Sequence, residues 1–96
     1  MKTVLITGSS RGIGAAIARR LNNDYKIIIN YKSSKEKAFE LLYELRETNP
    51  NVIAIKADVS KEEDVKMMFE VAEKNFGHVD ILINNAGISH LSLIHI

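Results

Sequence analysis

Short apolar runs alternate with segments of helical periodicity along the chain, and this alternation constrains the fold more than any other feature. Residues 4–6, 27–31, 52–57 and 79–83 are short apolar runs rich in β-branched residues, which predicts four strands. Between them, apolar residues recur every three or four positions, which predicts three amphipathic helices. Apolar strands joined by such helices form a parallel sheet that is covered on both faces. Right-handed connections then favour an α/β fold with a doubly wound parallel sheet.

Capping residues predict where the helices begin and end. Ser33 with Glu36, and Ser60 with Glu63, form two S-x-x-E patterns, which are typical of a capping box at a helix N-terminus. Gly77 follows the third helical segment and fits the position just past a helix C-terminus. We therefore expect the second and third helices to start at these serines and the third to end before Gly77.

Composition and charge narrow the classes of partner. The 96 residues suffice for one domain at most, and 46% hydrophobic with 26% charged residues is an ordinary globular composition. Lys and Arg total 13 against 12 Asp and Glu, a net charge of +1, which argues against nucleic acid or an anionic membrane surface as the main partner. No apolar run has the length of a secretory signal or a membrane span. We therefore expect a cytoplasmic protein that binds neither nucleic acid nor membrane.

The segments that follow the four predicted strands are polar or small, in contrast to the strands themselves. They read TGSSRGIG, NYKSS, ADVS and NNAGIS. In doubly wound sheets, ligands bind in the crevice beyond the carboxyl ends of the strands. The four segments are therefore predicted to meet at one rim, and this rim is the candidate ligand site.

The first of these segments has the composition of a phosphate-binding loop. Gly8, Gly12 and Gly14 connect the first strand to the first helix with the spacing G-x-x-x-G-x-G. Glycine permits positive φ and lets a ligand approach the backbone closely. The N–H groups and the partial positive charge at the start of a helix favour an anion there. A bare strand-to-helix turn also uses glycine, but the position of this loop directly after the first strand favours a dinucleotide.

The end of the second strand bears on the choice between NAD(H) and NADP(H). A site for an unphosphorylated adenosine ribose usually has an acidic residue there, about 20 residues beyond the glycines, whereas this chain has NYKSS. Lys32 and Arg11 supply cations and Ser33 supplies a hydroxyl, which suit a 2′-phosphate. These residues favour NADP(H) over NAD(H). The alternative is that Lys32 is a solvated surface charge and that Ser33 only caps the helix.

Taken together, these motifs make residues 1–89 resemble the N-terminal half of the classical short-chain dehydrogenases/reductases. TGSSRGIG is similar to the family's T-G-x-x-x-G-x-G loop, NNAG to its N-N-A-G motif, and Asp58 to the acid that holds the adenine edge. Within the family, the chain looks most similar to oxoacyl-(acyl-carrier-protein) reductases. The resemblance implies a Rossmann-type sheet, truncated after the fourth strand, in a protein that transfers hydride between a nicotinamide and a carbonyl or alcohol. It also implies a small-molecule or acyl-carrier-linked carbonyl substrate and a homo-oligomeric full-length protein.

The resemblance assigns cofactor-binding roles residue by residue. The glycine loop would wrap the pyrophosphate and the adenosine ribose, and the second strand end would hold the 2′-phosphate. The third strand end would contact adenine, and the NNAG motif would contact the ribose on the nicotinamide side. The residues implied are Gly8, Ser9, Ser10, Arg11, Gly12, Ile13, Gly14, Lys32, Ser33, Asp58, Val59, Asn85, Ala86 and Gly87. Asn84 is expected instead to stabilise the strand end through hydrogen bonds to the backbone.

The resemblance places catalysis outside this sequence. The family's proton donor is a Tyr in a Y-x-x-x-K pair, assisted by a Ser and an Asn, all downstream of N-N-A-G. The pair with this spacing here, Tyr31 and Lys35, would lie at the adenosine end of the cleft and is predicted to be a coincidence. We therefore predict no catalytic residue in this chain and expect it to be inactive by itself. No metal site is predicted, because His90 and His95 lack further ligands.

The last six residues, LSLIHI, are expected to be foreign to the protein. Leu-Ser-Leu-Ile-His-Ile is the translation, in one frame, of the transposase mosaic-end adapter CTGTCTCTTATACACATCT that is used in sequencing libraries. We therefore divide the chain into residues 1–90, the N-terminal part of a dinucleotide-binding domain, and residues 91–96, a non-native tail. The alternative is a natural loop and helix start.

Without a following strand, residues 79–83 would form an exposed apolar edge that promotes aggregation.

Two other classes of protein share parts of this pattern. A non-catalytic nucleotide-sensing module could keep the same loops and would not need the Tyr-Lys pair. A receiver-like signalling domain also has a doubly wound sheet, but it would carry an acidic cluster at the end of the first strand. This chain has Thr7, Gly8 and Ser9 there, which makes the receiver the weaker alternative.

Overall fold

Strands and helices alternate along the chain in the predicted order. The computed structural model describes residues 1–86 and the backbone of residues 94–95. The elements are β1 (Lys2–Ile6), α1 (Gly12–Leu21), β2 (Tyr25–Tyr31), α2 (Lys35–Arg46), β3 (Val52–Lys56), α3 (Glu62–Phe76), β4 (Ile81–Ile83) and β5 (Ile94–His95). None of the helices in this part of the chain combines the length and the apolar character needed to cross a membrane.

The first four strands form a parallel sheet with β1 at its centre. The strand order is β3-β2-β1-β4-β5, and Val4 of β1 lies opposite Ile27 of β2 on one side and Ile81 of β4 on the other. The chain runs outward from β1 to β3 and then returns to the far side of β1, so the direction of winding reverses between β1 and β4. This topology confirms the doubly wound, Rossmann-type prediction and locates the ligand crevice beyond the carboxyl ends of these strands.

Alternate side chains of the strands build two apolar clusters, one on each face of the sheet. Val4 and Ile6 pack with α1 and α2, whereas Leu5 and Ile28 pack with α3, and all four are fully buried. Complete burial of one such side chain contributes about 1.5–3 kcal/mol. Because helices cover both faces, the strands are apolar along most of their length, and the polar side chains gather at the strand ends.

The second helix starts one residue later than predicted, and its capping box does not form. Ser34, not Ser33, is the N-cap residue of α2, and its side chain makes no capping hydrogen bond. The carbonyl of Ser33 accepts the N–H of Lys35 at 3.0 Å, which closes a tight turn ahead of the helix. Ser33 therefore lies outside α2 and is exposed to solvent.

The third helix also starts one residue late, for a different reason. Its N-cap residue is Lys61, because the hydroxyl of Ser60 donates to Oδ1 of Asp58 at 2.6 Å and does not cap the helix. The predicted end is confirmed: Gly77 follows the last helical residue with φ 78°, and its N–H donates to the carbonyl of Glu73 at 2.8 Å. The left-handed φ at this position is readily adopted only by glycine.

The outer edge of β4 has a partner, contrary to the expectation of an exposed edge. Residues Ile94–His95 form β5, which runs antiparallel to β4 and pairs Leu82 with His95 and Ile83 with Ile94. This short ladder uses the backbone hydrogen-bonding groups that an edge strand would otherwise present. Most of the predicted foreign tail, residues 91–93 and 96, lies outside the described residues.

Candidate cofactor-binding site

A cavity of about 550 Å³ lies beyond the carboxyl ends of the parallel strands. All four strand-end segments contribute to its wall, which confirms that they converge on one rim. Five of the predicted cofactor-binding residues line this cavity: Gly8, Lys32, Asp58, Val59 and Ala86. The wall also includes apolar side chains from α3, such as Val65 and Met68, so the cavity has one apolar side and a polar rim. That composition suits a ligand with a flat, weakly polar ring and charged groups.

Two glycines give the first loop a backbone path that other residues rarely adopt. Gly8 has φ +59° and Gly12 has φ +63°, both in the left-handed region. A Cβ at Gly8 would lie 3.1 Å from Cα of Ala86, whereas a Cβ at Gly12 would have no neighbour within 4 Å. The space beside Gly12 is therefore open, and a ligand could reach the backbone there.

Gly14 is required for a different reason, the close packing of α1 onto the loop. A Cβ at this position would lie 2.6 Å from the carbonyl oxygen of Gly8 and 2.7 Å from Cα of Ser9. Neither atom can move without displacing backbone. Only a hydrogen fits at this position, and the first turn of α1 therefore lies directly beside the end of β1.

The N-terminus of α1 has the features of an anion site. The first N–H groups of a helix have no carbonyl partner within the helix. In α1 the first hydrogen bond of the helical pattern runs from the N–H of Ala15 to the carbonyl of Arg11, at 3.4 Å. The N-cap residue is Arg11, whose guanidinium has no acceptor for the N–H groups of Gly12, Ile13 and Gly14. These donors, the helix dipole and the open space at Gly12 together suit a phosphate.

Ser9, predicted to contact the cofactor, lies beneath the loop and is fully buried. Its hydroxyl donates to the carbonyl of Ile6 at 2.7 Å and accepts the N–H of Asn30 at 3.0 Å. Its own N–H donates to the carbonyl of Asn30 at 2.9 Å. The side chain therefore joins the end of β1 to the end of β2, which is a structural role. Contact with a cofactor stays a prediction for this residue.

Asn30 is a residue that sequence reasoning missed. It is only 2% exposed, and its side chain accepts the N–H of Gly8 at 2.9 Å and donates to the carbonyl of Ala57 at 3.2 Å. The available signal was a lone amide at the end of the apolar strand IIINY. A buried amide must find hydrogen-bond partners, but the sequence does not identify them.

The two cations predicted for the 2′-phosphate do not line the same cavity. Lys32 lines the large cavity, and its Nζ lies 3.7 Å from Oδ2 of Asp58, with its side chain 73% exposed. Arg11 lines a second cavity of about 380 Å³ between α1 and α2, together with Ser10, Gly12 and Lys37.

Tyr31, the tyrosine of the Y-x-x-x-K spacing, is buried and packs edge-on against Phe39.

Asp58 is held by the residues that follow it. Its Oδ1 accepts both the hydroxyl of Ser60 at 2.6 Å and the N–H of Ser60 at 3.0 Å, and these bonds lower the pKa of the Asp58 carboxyl. The positive charge of Lys32 adds to the same effect. The N–H of Asp58 in turn donates to Oδ2 of Asp64, at the start of α3, at 2.8 Å. The end of β3 is thereby fixed to the first turn of α3.

The segment that follows β4 is tied to the glycine loop. Nδ2 of Asn85 donates to the carbonyl of Gly8 at 3.0 Å, and the N–H of Ala86 donates to the hydroxyl oxygen of Thr7 at 3.0 Å. The hydroxyl of Thr7 donates to Oδ1 of Asn84 at 3.2 Å, so Asn84 is tied to the end of β1 through the Thr7 side chain and not through the backbone bond that was predicted. Thr7 is a second residue that sequence reasoning missed.

Other predicted residues are exposed or lie outside the described part of the chain, and their contact with a cofactor stays a prediction. Ile13 is 62% exposed on α1, and Ser33 is exposed ahead of α2. Gly87 and His90 lie outside the described residues. Within residues 1–86, no group of three His, Cys, Asp or Glu side chains is arranged to hold a metal ion.

Replacing Gly14 by Ala should destabilise the fold through a backbone collision. We expect Gly14→Ala to lower the free energy of unfolding by about 3 kcal/mol, since the added methyl would displace the loop. Gly12→Ala is the matched control and should cost about 1–2 kcal/mol, because it adds only left-handed strain. Urea unfolding of both variants measures the difference. Equal losses, or a smaller loss for Gly14→Ala, would contradict the proposed contact.

Replacing Ser60 by Ala should raise the pKa of Asp58 toward its ordinary value of 3.8. Because the pKa of the folded state lies below the unfolded value, these contacts stabilise the fold above the ordinary carboxyl pKa. That stabilisation is lost as the pH falls through the lower, folded value. Carboxyl NMR titration of the unmodified chain, Ser60→Ala and the control Ser34→Ala checks this. An unchanged Asp58 pKa in Ser60→Ala would refute the role of the hydroxyl.

Comparison with known proteins identifies the family. The family model for short chain dehydrogenases matches residues 2–95. The chain is 47% identical over 88 residues to 3beta-hydroxysteroid dehydrogenase 1 of Eggerthella lenta, covering 91% of this chain and 34% of that protein. It is 42% identical over 94 residues to a 3-oxoacyl-(acyl-carrier-protein) reductase of Staphylococcus epidermidis, covering 97% of this chain and 38% of that protein.

A solved structure shows the same likeness in three dimensions. A dehydrogenase/reductase from Sinorhizobium meliloti 1021 superimposes with a TM-score of 0.82 and 34% identity, covering 88% of this chain and 34% of that one. The chain spans 34–38% of the length of these relatives. The match extends over almost the whole chain and includes both the glycine loop and the strand ends. The chain belongs to the short chain dehydrogenase family.

Proposed function

We propose that the chain is the NADP(H)-binding part of an oxidoreductase that transfers hydride between a nicotinamide and a carbonyl or alcohol. The observation that carries this proposal is that Gly8, at the start of the glycine loop, and the Asp58 loop line one cavity of about 550 Å³. Family membership supports a nicotinamide cofactor. When bound, the nicotinamide would supply or accept the hydride.

The residues at the rim suit the parts of such a cofactor. Backbone N–H groups from Gly12 to Gly14 would hold the pyrophosphate, because they begin α1 and a helix leaves them unsatisfied. Asp58 and Val59 would face the adenine, and Ala86 would face the ribose on the nicotinamide side. Ser9 and Ser10 in the glycine loop, Ser33 near the 2′-phosphate, and Asn85 and Gly87 at the nicotinamide-side ribose complete the proposed set, as the family resemblance implies. These groups bind and orient the cofactor, and the proton donor for the reaction would come from outside this chain.

The preference for the phosphorylated cofactor rests on charge at the end of β2. The residues there are Asn30, Tyr31 and Lys32, and none of them is acidic. A carboxylate would repel a 2′-phosphate, whereas the exposed Lys32 and Arg11 would attract it. Lys32 is paired loosely with Asp58 at 3.7 Å and could turn toward the phosphate without leaving a buried charge.

The substrate class has two candidates, each favoured by a relative. The reductase of S. epidermidis favours an acyl-carrier-linked 3-oxoacyl group, and this is the substrate that we propose. The hydroxysteroid dehydrogenase of E. lenta, with 47% identity, makes a steroid alcohol the second candidate. Both reactions interconvert a carbonyl and a hydroxyl.

We further propose that the whole protein is a cytoplasmic homo-oligomer and that residues 1–90 are inactive without the catalytic part.

We also propose that residues 91–96 derive from a sequencing adapter. The genomic DNA beyond codon 90 tests this proposal directly. Genomic DNA that itself encodes Leu-Ser-Leu-Ile-His-Ile at these positions would end it, whereas genomic DNA that departs from CTG TCT CTT ATA CAC ATC after codon 90 would support it. A downstream Ser followed by Y-x-x-x-K would support the enzyme, whereas a complete gene without that pair would favour a nucleotide-sensing module.

Removing either proposed phosphate cation should weaken NADP⁺ binding selectively. We expect Lys32→Ala and Arg11→Ala each to lower the affinity for NADP⁺ about tenfold, since each removes a charge-assisted hydrogen bond. The affinity for NAD⁺ should change little. Lys26→Ala, at the opposite end of β2, is the control and should leave both affinities unchanged.

Isothermal titration with the two dinucleotides measures these effects. Equal losses for NADP⁺ and NAD⁺ in the Lys32 and Arg11 variants would contradict the preference for the phosphorylated cofactor. Absence of binding by the unmodified chain would contradict the proposed dinucleotide site within this part of the protein.

A further inference from the structure

One residue connects the two halves of the proposed nucleotide site. Asn30, the next-to-last residue of β2, accepts the N–H of Gly8 at 2.9 Å through its side-chain oxygen. Its side-chain nitrogen donates to the carbonyls of Ala57 at 3.2 Å and Ile55 at 3.4 Å. Its backbone N–H donates to the hydroxyl oxygen of Ser9 at 3.0 Å, and its backbone carbonyl accepts the N–H of Ser9 at 2.9 Å. A single buried residue thus bonds the segments that follow β1 and the end of β3.

Only an amide satisfies both sides of this connection. The N–H of Gly8 needs an acceptor, and the carbonyl of Ala57 needs a donor. A carboxylate at position 30 would present a second acceptor to the Ala57 carbonyl, and a hydroxyl would be too short to span both groups. Because Asn30 is 2% exposed, water cannot readily replace a lost partner.

The two ends of this connection lie at different parts of the proposed ligand. Gly8 begins the loop that would hold the pyrophosphate, and Ala57 directly precedes Asp58 and Val59, which would face the adenine. Gly8, Ala57 and Asp58 line the same cavity. Movement of one segment relative to the other would therefore change the spacing between the phosphate and adenine subsites.

We propose that Asn30 is a positioning residue that sets the spacing between the phosphate loop and the adenine wall. It acts through Gly8 and Ala57 and not by contact with the reacting atoms. This inference rests on the proposed dinucleotide function. It predicts that loss of the amide weakens ligands that span both subsites more than ligands that occupy one of them.

The chain offers a matched control at the opposite end of the sheet. Asn49 is also 2% exposed, and its side chain donates to the carbonyl of Tyr25 at 2.8 Å and accepts the N–H of Asn51 at 3.0 Å. Asn49→Asp makes the same chemical change in an equally buried amide, and neither partner lies near the cavity. Any general destabilisation should therefore appear in both variants.

The test compares ADP, which would span both subsites, with adenosine, which would occupy the adenine side alone. ¹⁵N NMR titrations of the chain would give both affinities. We expect Asn30→Asp to weaken ADP about tenfold while adenosine changes less than about twofold. The Gly8 amide resonance should shift, since its acceptor is changed. Asn49→Asp should leave the ratio of the two affinities unchanged.

The failure of this inference is distinguishable from the failure of the proposed function. If the unmodified chain binds neither ligand, the proposed function fails and the inference falls with it. If the chain binds ADP but Asn30→Asp weakens both ligands equally, or neither, the positioning role alone is refuted. If the Asn30→Asp variant does not fold, the Asn30→Ser variant is titrated in its place. We expect the same change in the ratio of the affinities for ADP and adenosine. An unchanged ratio in that variant would also overturn the inference.

Discussion

The packing of the first turn of α1 directly onto the end of β1 is the contact on which the rest of the site depends. At Gly14 only a hydrogen fits, because a Cβ would lie 2.6 Å from the carbonyl of Gly8. This close approach places the start of α1 beside the crevice between β1 and β4. It also leaves the Gly8 carbonyl within 3.0 Å of the amide of Asn85, which follows β4. One steric constraint therefore links the central strand, the first helix and the far side of the cleft.

A small set of buried polar groups makes the rim of the cleft rigid. Thr7 and Ser9 follow β1, and Asn30 is the next-to-last residue of β2; all three are buried, and each has hydrogen-bond partners within the protein. In a low-dielectric interior such bonds are strong, and a missing partner is costly. The loops at the rim are thus held in place before any ligand arrives, which lowers the entropic cost of binding.

The fold could be predicted from the sequence because the apolar pattern is strong and local. The strands are short apolar runs rich in β-branched residues, so their length and composition, together with the helical period of the segments between them, separate them from the helices. The helix starts were predicted one residue early because a Ser hydroxyl near a helix can bond several partners. Ser60 bonds Asp58 and does not cap α3, and the sequence pattern does not register that competition.

The site could be predicted only in outline, because its contacts join residues distant in sequence. The glycine loop and Asp58 were found from their motifs, since each motif is contiguous. Asn30 was missed because its partners at Ala57 and Gly8 become its neighbours only when three strands align. The bonds of the Ser9 hydroxyl to the sheet end were missed as well, because they depend on tertiary packing. Its predicted contact with the cofactor stays a prediction.

The most direct measurement of the central claim is a map of NADP⁺ binding on the backbone amides of the chain. In ¹⁵N-labelled protein, titration with NADP⁺ should give saturable shifts at Gly8, Gly12, Lys32 and Asp58, at the carboxyl ends of the strands. Amides at the opposite ends of the strands, such as those of residues 22–24 and 49–51, should not move. Saturable shifts confined to those opposite ends, or the absence of saturable shifts, would contradict a dinucleotide site at this rim.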